Sequence, residues 1–389
     1  MPVKILVVDD EPDLELLIRQ KFRRHIREGQ FSFAFARNGV EALQKLQEDP
    51  AVDLILTDIN MPEMDGLTLL LKLNELNLLL KAVIVSAYGD MENIRTAMNR
   101  GAADFLTKPI DFNDMEITVN KTLQQLQTLR QAVQEHDQLV SIRNELDIAS
   151  HIQQSILPRT FPPFPERREF EIFAEMIPAR EVGGDFYDFF LIDDDRLGLV
   201  VGDVSGKGVP AALFMAVTRT LLKSTALAGL PPAECLRRVN NLLCLDNASE
   251  MFVTVFYGIL NTRTGALAYS NGGHNPPYLL RNDGRAELLA GTGDMVLAAL
   301  EGSAYHEKTA TLGSGEGIFL YSDGITEAMD AASSLFSDQR LAAFLSQANS
   351  APPQQLIRGV VDAVKQYSGA TPQSDDITAL AVRYLGPAA

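Results

Sequence analysis

Hydrophobic and polar positions follow one rhythm up to about residue 120 and another beyond about residue 165. In the first stretch, short apolar runs end on reactive polar groups. Lys4 to Val8 runs into Asp9, Asp10 and Glu11, Leu54 to Thr57 ends on Asp58, Ala82 to Val85 ends on Ser86, and Asp104 to Thr107 ends on Lys108. Runs of this length, rich in Val, Ile and Leu, suit strands buried on both faces. Between them apolar residues recur at helical spacing, as at Leu14, Leu17, Ile18 and Phe22, or Leu67, Leu70, Leu71 and Leu73. Strand and helix in alternation predict an α/β doubly wound parallel sheet over residues 1–124, with its site beyond the carboxyl ends of the strands.

A connecting helix is predicted over residues 113–157, which contain neither glycine nor proline. Leu126, Leu129 and Val133 form one apolar stripe; Leu139, Ile142, Leu146 and Ala149 form another after a shift of phase. The shift fits a stutter in a short two-stranded coiled coil, hence a homodimer, or a single amphipathic helix lying on either domain. Pro158 and the FPPFP run from Phe161 to Pro165 end it. Residues 158–389 then carry short β-type runs, with helical patterns at Ala211 to Ala228, Ala233 to Leu245 and Gln354 to Tyr367. That mixture predicts an α+β β-sandwich flanked by helices.

Charge and composition narrow the function. With 51 acidic against 34 basic residues and a net charge of -17, the surface repels nucleic acid and anionic lipid. No apolar stretch is long enough to span a bilayer, and MPVKILVV runs straight into acids, unlike a signal peptide. Cys235 and Cys244 are the only cysteines and no His or Cys cluster has metal-ligand spacing, so neither a disulfide framework nor a zinc site is indicated. A soluble cytoplasmic protein without nucleic-acid or membrane partners is expected.

The predicted parallel sheet brings Asp9, Asp10, Asp58, Ser86 and Lys108 into one crevice. Crowded carboxylates repel unless a cation joins them, and an all-oxygen set favours Mg²⁺. Lys108 and that ion could neutralise a phosphoryl group on Asp58 while Ser86 hydrogen-bonds one of its oxygens. In VVDDE, DINMPEMDG, SAYGD and LTKPID, the region from Val3 to Gln124 resembles the CheY-like receiver domain of response regulators. The resemblance implies a flavodoxin-like fold and phosphorylation of Asp58 by a sensor histidine kinase, a phosphotransfer protein or a small phosphodonor. It further implies that Asp9, Asp10, Asp58 and the Asn60 backbone carbonyl ligate Mg²⁺. Phe105 is either the family's switch aromatic, acting with Ser86 and Lys108, or a core residue at a strand end.

In the second domain GDVSGKG, from Gly202 to Gly208, invites comparison with a phosphate-binding P-loop. Only three residues separate Gly202 from Gly206, where four are needed, and Gly208 stands where Ser or Thr should bind Mg²⁺, so that comparison fails. What remains is Asp203 at a strand end in a glycine-rich turn. Similar turns carry Asp185 (GGDFYD), Asp323 (YSDGIT), and Asp375 and Asp376 (SDDIT). Carboxylates without His or Cys describe a binuclear Mn²⁺ or Mg²⁺ site, with Asp203 as the bridge. Two ions roughly 3.5–4 Å apart can activate a shared water against a phosphomonoester, with no protein nucleophile.

These motifs, with PAREVGGDFYD, FVTVFYG, GGHNPPYLL and the lead-in helix ELDIASHIQQSILP, resemble the PPM (PP2C-like) serine/threonine phosphatases of the RsbU/SpoIIE branch. The resemblance covers roughly Glu145 to Tyr384. It implies Asp203, Asp323 and Asp375 on one ion, Asp203 and the Val204 carbonyl on the other, and Asp185 holding metal-bound water, with Asp376 an alternative to Asp375. Arg180 is either an anchor for the substrate phosphate or a surface arginine before a turn. The chain departs from the pattern at Ser205, where eukaryotic relatives place a histidine, and at VLAAL (Val296 to Leu300), where bacterial relatives usually read Pro-Leu-Gly. His274 is expected to stabilise its turn and Lys207 to be a solvated loop cation.

The whole then reads as an RssB-like receiver-phosphatase in which Asp58 phosphorylation acts through the helix. The implied substrate is a phosphorylated STAS-type anti-sigma-factor antagonist in a partner-switching pathway. Two rivals remain: an adaptor that binds without turnover, and a phosphatase acting on a nucleotide or small molecule.

Overall fold

The computed structural model describes residues 2–387 apart from 77, 88 and 246. It contains two compact units, Met1–Ile142 and Arg143–Ala389. The first runs β1 (Val3–Val8), α1 (Pro12–Lys21), α2 (Arg23–Arg27), β2 (Phe31–Ala36), α3 (Gly39–Glu48), β3 (Leu54–Asp58), α4 (Gly66–Glu75), β4 (Lys81–Ala87), α5 (Met91–Asn99) and β5 (Asp104–Lys108). Helix α6 (Phe112–Ile156) begins in this unit and ends in the second.

The five strands are parallel in the order β2-β1-β3-β4-β5. Successive residues of β1 serve opposite faces: Leu6 and Val8 join Leu46, Leu69 and Leu73 on one side, while Ile5 and Val7 join Ile18, Phe22, Met115 and Val119 on the other. The first turns of α6 therefore complete the core of this unit, through Met115, Val119 and Leu123. Farther along, Leu129, Leu139, Ile142 and Ile148 are exposed. β2, with its FSFAFA alternation, is the edge strand that the sequence reading passed over.

The second unit contains β6 (Phe170–Ile177), β7 (Phe186–Leu191), β8 (Arg196–Val204), α7 (Val209–Ala226), α8 (Pro232–Leu245), β9 (Val253–Asn261), β10 (Ala266–Gly272), β11 (Tyr278–Leu280) and β12 (Ala286–Leu288). There follow β13 (Lys308–Thr311), β14 (Gly317–Tyr321), α9 (Asp323–Thr326), α10 (Ser337–Gln347), α11 (Pro353–Ser368) and β15 (Ile377–Tyr384). Two antiparallel sheets, β13-β10-β9-β8-β7 and β12-β11-β14-β15-β6, share a core that includes Leu199, Val201, Phe256, Leu320 and Leu380. Helices α7 and α8 pack on the first sheet and α11 on the second, as an α+β sandwich requires. Helix α10, unforeseen in the sequence, buries Leu341 and Leu345 at i,i+4 spacing.

In the VLAAL segment, Leu297 exchanges both backbone hydrogen bonds with Val253, and Ala298 follows in the left-handed region at φ 66. A glycine would adopt that conformation without a Cβ penalty. Asp188, on β7, is 1% exposed and pairs with Arg219 at 2.8 Å and Lys223 at 3.5 Å, tying α7 to the sheet. Removing one partner of a buried pair leaves the other charge uncompensated. We expect Asp188→Asn to destabilise the second unit by about 3–5 kcal/mol, lowering its thermal transition by roughly 10 °C in a calorimetric scan.

Candidate functional site

In the first unit, parallel pairing places Asp9, Asp58, Ser86 and Lys108 at the carboxyl ends of neighbouring strands. Asp9, Asp10 and Asp58 each offer a carboxylate oxygen within 4.8 Å of the others. Lys108 Nζ lies 2.7 Å from Asp58 Oδ2, 3.0 Å from Glu11 Oε1 and 3.0 Å from Asp9 Oδ2. Burial favours a neutral lysine, but the hydrogen bonds to Asp58, Glu11 and Asp9 outweigh it and hold the ammonium charged. Burial raises Asp9, and the Asp58 charge adds to it, against the Glu11 backbone N–H and Lys108. Asp9 Oδ2 is buried, with Lys108 Nζ as its ion-pair partner. Three carboxylates with oxygens this close together fit a hard cation.

Ser86 is fully buried, with its hydroxyl 3.4 Å from Asp90 Oδ2. Asn60 is exposed just beyond Asp58. Phe105 is 38% exposed, so it is not the strand-end core residue allowed as an alternative.

In the second unit the acid-bearing turns meet around Asp376, which is 6% exposed. Its Oδ1 accepts a hydrogen bond from Ala179 N at 2.8 Å, and its Oδ2 accepts from Gly184 N at 2.8 Å and Asp185 N at 3.4 Å. Glycines permit this convergence. A Cβ at Gly183 would stand 2.1 Å from Asp376 Oδ2, one at Gly324 2.0 Å from the Asp376 carbonyl oxygen, and one at Gly184 2.7 Å from the Val204 carbonyl oxygen. Gly206 and Gly208 have φ of 89 and 76, and they turn the chain from β8 into α7.

Asp185 is 1% exposed, and its Oδ2 has no hydrogen-bond donor among the described residues. Burial drives its pKa well up, the Asp203 and Asp376 charges add to it, and the Ser322 and Thr378 hydroxyls oppose it. Asp203 is pushed up to about 7 by burial and then by the Asp323 charge. Asp323 is raised by burial and by Glu327 and Asp375, against the Gly324 N–H and the Lys207 charge. Each acid is held where its own ionisation is disfavoured, which a bound cation would reverse. Among the described residues, no three of these acids bring ligand oxygens within 4.8 Å, as the receiver trio does.

Lys207 gains a partner that the sequence reading did not foresee. It is exposed in its loop, as a solvated cation would be, while its Nζ lies 2.8 Å from Asp375 Oδ2 and 2.6 Å from the Ser374 carbonyl oxygen. Asp376 spends both oxygens on backbone N–H groups, whereas the Asp375 side chain is 37% exposed. Arg180 is exposed in the loop before Gly183 and forms no ion pair among the described residues. Ser205 exchanges hydrogen bonds with the backbone of Phe252. The ion-paired, buried Asp188 was missed because FYDFFL alternates too weakly to mark it.

A parallel α/β unit with an acidic trio and a lysine, followed by an antiparallel sandwich whose acid turns converge, defines a receiver-like fold joined to a PP2C-like sandwich. The response regulator receiver domain family matches residues 5–120, and the stage II sporulation protein E (SpoIIE) family matches residues 193–385. The chain belongs to the response regulator family through its N-terminal receiver domain and carries a SpoIIE/PP2C phosphatase domain at its C-terminus.

Protein IcfG of Synechocystis is 34% identical over 271 residues, 62% of this chain and 41% of that protein. Phosphoserine phosphatase RsbU of Bacillus subtilis is 32% identical over 205 residues, covering 52% of this chain and 58% of RsbU. The chain thus spans about half the length of these two relatives. Chemotaxis protein CheY of Bacillus subtilis is 33% identical over 32% of this chain and 99% of its own length. Among solved structures, the SiaA-PP2C domain of Pseudomonas aeruginosa superimposes with a TM-score of 0.57 at 25% identity, covering 63% of this chain and 98% of that domain.

His274 is buried, its Nδ1 2.8 Å from Thr254 Oγ1, while its backbone exchanges hydrogen bonds with the Asn271 side chain. Burial lowers its pKa to about 4, against an ordinary 6.5, so the folded ring stays neutral. Between those values the unfolded chain takes up a proton that the folded one does not, so stability falls as pH drops from 6.5 toward 4. We expect His274→Gln to remove about 3 kcal/mol of that acid-side loss, read as a smaller fall in unfolding free energy between pH 7 and pH 4 than in wild type.

Proposed function

We propose that the chain is a phosphorylation-regulated response regulator whose output is a metal-dependent phosphoprotein phosphatase. The observation that carries this reading is the convergence of Asp185, Asp203, Asp323 and Asp375, each of the first three with its charged form disfavoured by burial and like charge. Asp203, Asp323 and Asp375 are the residues to hold one Mn²⁺ or Mg²⁺, and Asp203 with the Val204 carbonyl the other. Asp185 orients water, and Arg180 receives the substrate phosphate. Asp376 is assigned a supporting part, because its oxygens already serve backbone donors. When bound, the two cations supply positive charge for the phosphoryl oxygens and activation of water.

In the receiver, Asp9, Asp10, Asp58 and the Asn60 carbonyl are the ligands for Mg²⁺. Asp58 accepts the phosphoryl group from a sensor histidine kinase or phosphotransfer protein. Lys108, already 2.7 Å from Asp58, meets the added charge, Ser86 donates to it, and Phe105 reports it at the surface. The output substrate is a phosphoserine or phosphothreonine on a STAS-type anti-sigma-factor antagonist, in keeping with the likeness to RsbU. The exposed apolar positions of α6 suit pairing with a second copy as a homodimer. The described helices include none long and apolar enough to cross a membrane, and a cytoplasmic setting suits a histidine-kinase partner.

Asp203→Asn should keep the fold by circular dichroism while reducing Mn²⁺-dependent hydrolysis of p-nitrophenyl phosphate by at least ~100-fold. Wild-type protein that fails to turn over with Mn²⁺ would favour the adaptor reading. Beryllofluoride, a mimic of the phosphoryl group on Asp58, should change the rate on a phosphorylated STAS protein in wild type and leave Asp58→Asn unaffected. An equal rate with and without it in wild type would separate the receiver from the output.

A further inference from the structure

Gln153 lies in the last turns of α6 and is 5% exposed, an unusual place for an amide among core residues. Its side chain binds both backbone groups of one residue: Nε2 donates to the Gly183 carbonyl oxygen at 2.5 Å, and Oε1 accepts from Gly183 N at 3.1 Å. Gly183 is the first residue of the GGD turn. On its other side stands Asp376, close enough that a Cβ at Gly183 would lie 2.1 Å from Asp376 Oδ2. The next two residues, Gly184 and Asp185, donate their N–H groups to that same oxygen. Gly184 also lies against the Val204 carbonyl. The turn that carries Asp185 is thus gripped from one side by the helix and from the other by the acid cluster.

We infer that Gln153 is a positioning residue that makes metal binding in the phosphatase domain depend on the register of the last turns of α6. The inference rests on the proposed metal-dependent function. Asp9, Asp10 and Asp58 already bring oxygens within 4.8 Å of one another, whereas no three acids of the second unit do so among the described residues. Cation binding there requires the turns to draw closer, and the turn of residues 183–185 can move only with Gln153 or by breaking its two hydrogen bonds. Leaving a buried amide and carbonyl unpaired is costly, so the helix and the turn move together. The end of the helix is itself anchored: Leu157 is buried in the core, and the Tyr187 hydroxyl donates to the Pro158 carbonyl at 2.7 Å. Linkage then works both ways, since a helix position that alters metal affinity must itself be altered by the metal.

The test uses the full chain and Mn²⁺ alone, titrated by calorimetry into wild type, Gln153→Met and, as a control on the exposed face of the same helix, His151→Ala. We expect Gln153→Met to weaken Mn²⁺ binding at least tenfold at the phosphatase site and to lower kcat with little change in KM, while His151→Ala matches wild type. Equal Mn²⁺ affinity in folded Gln153→Met overturns the inference and leaves the metal-dependent reading intact. Wild type that binds no Mn²⁺ beyond the receiver site overturns both. Should Gln153→Met not fold, hydrogen exchange of the wild-type chain decides. Protection gained on Mn²⁺ addition by residues 150–157 together with 182–186 supports the coupling, and protection gained by 182–186 alone refutes it.

Discussion

The second unit depends on a single carboxylate that binds backbone instead of a ligand. Asp376 gathers the N–H groups of Ala179, Gly184 and Asp185, and its own carbonyl sits against Gly324, beside Asp323. The carboxylate draws in the 179–185 segment by charge-assisted hydrogen bonds, each stronger than a neutral one, while the Asp376 carbonyl accepts a neutral bond from the Ser322 hydroxyl beside Asp323. Glycine is required at the contacts, because a Cβ at Gly183 or Gly324 would fall about 2 Å from an Asp376 oxygen. The gathering places Asp185 under the charges of Asp203 and Asp376, and Asp203 under those of Asp323, Asp375 and Asp376, in a buried setting. The energy of that repulsion is what a cation would recover, so the knot that costs stability also creates affinity.

Both units gather acids, by different topologies and to different closeness. In the receiver, parallel strands point their carboxyl ends one way, so register alone assembles Asp9, Asp58, Ser86 and Lys108. In the sandwich, antiparallel strands alternate direction, and the acids have to be brought together by turns. Each site also holds a lysine against its acids. Lys108 is shared among three carboxylates with a side chain 24% exposed, whereas Lys207 touches one carboxylate and is 41% exposed. A lysine bound to one exposed acid between two left-handed glycines is much easier to displace than one held by three.

The parts of the chain that could be read from sequence are those where one residue type has one physical use. KILVV followed by three acids could only be a buried strand delivering carboxylates, and counting residues in GDVSGKG was enough to exclude a phosphate cradle. The boundaries of β8, Arg196–Val204, coincide with the run RLGLVVGDV. Strand β2 and helix α10 escaped because FSFAFA and SDQRLAAFLSQ carry weak patterns that tertiary packing decides. Lys207, Asp188 and Gln153 escaped for another reason. Their partners lie 168, 31 and 30 residues away, at Asp375, Arg219 and Gly183, and no local spacing encodes such pairs.

Helix α6 connects these two chemistries, and its ends are held differently from its middle. In the first unit Arg130 binds the Asp53 carboxylate and donates to the Leu79 carbonyl at 2.8 Å. Asp53 immediately precedes β3, the strand that ends on Asp58. About six helical turns later, Gln153 binds Gly183 beside Asp185. Between these tethers the helix has no glycine or proline at which to bend and exposes Leu139, Ile142 and Ile148. Each unit thus holds its own stretch of the helix by side-chain hydrogen bonds, at Asp53 and Leu79 in the first and at Gly183 in the second.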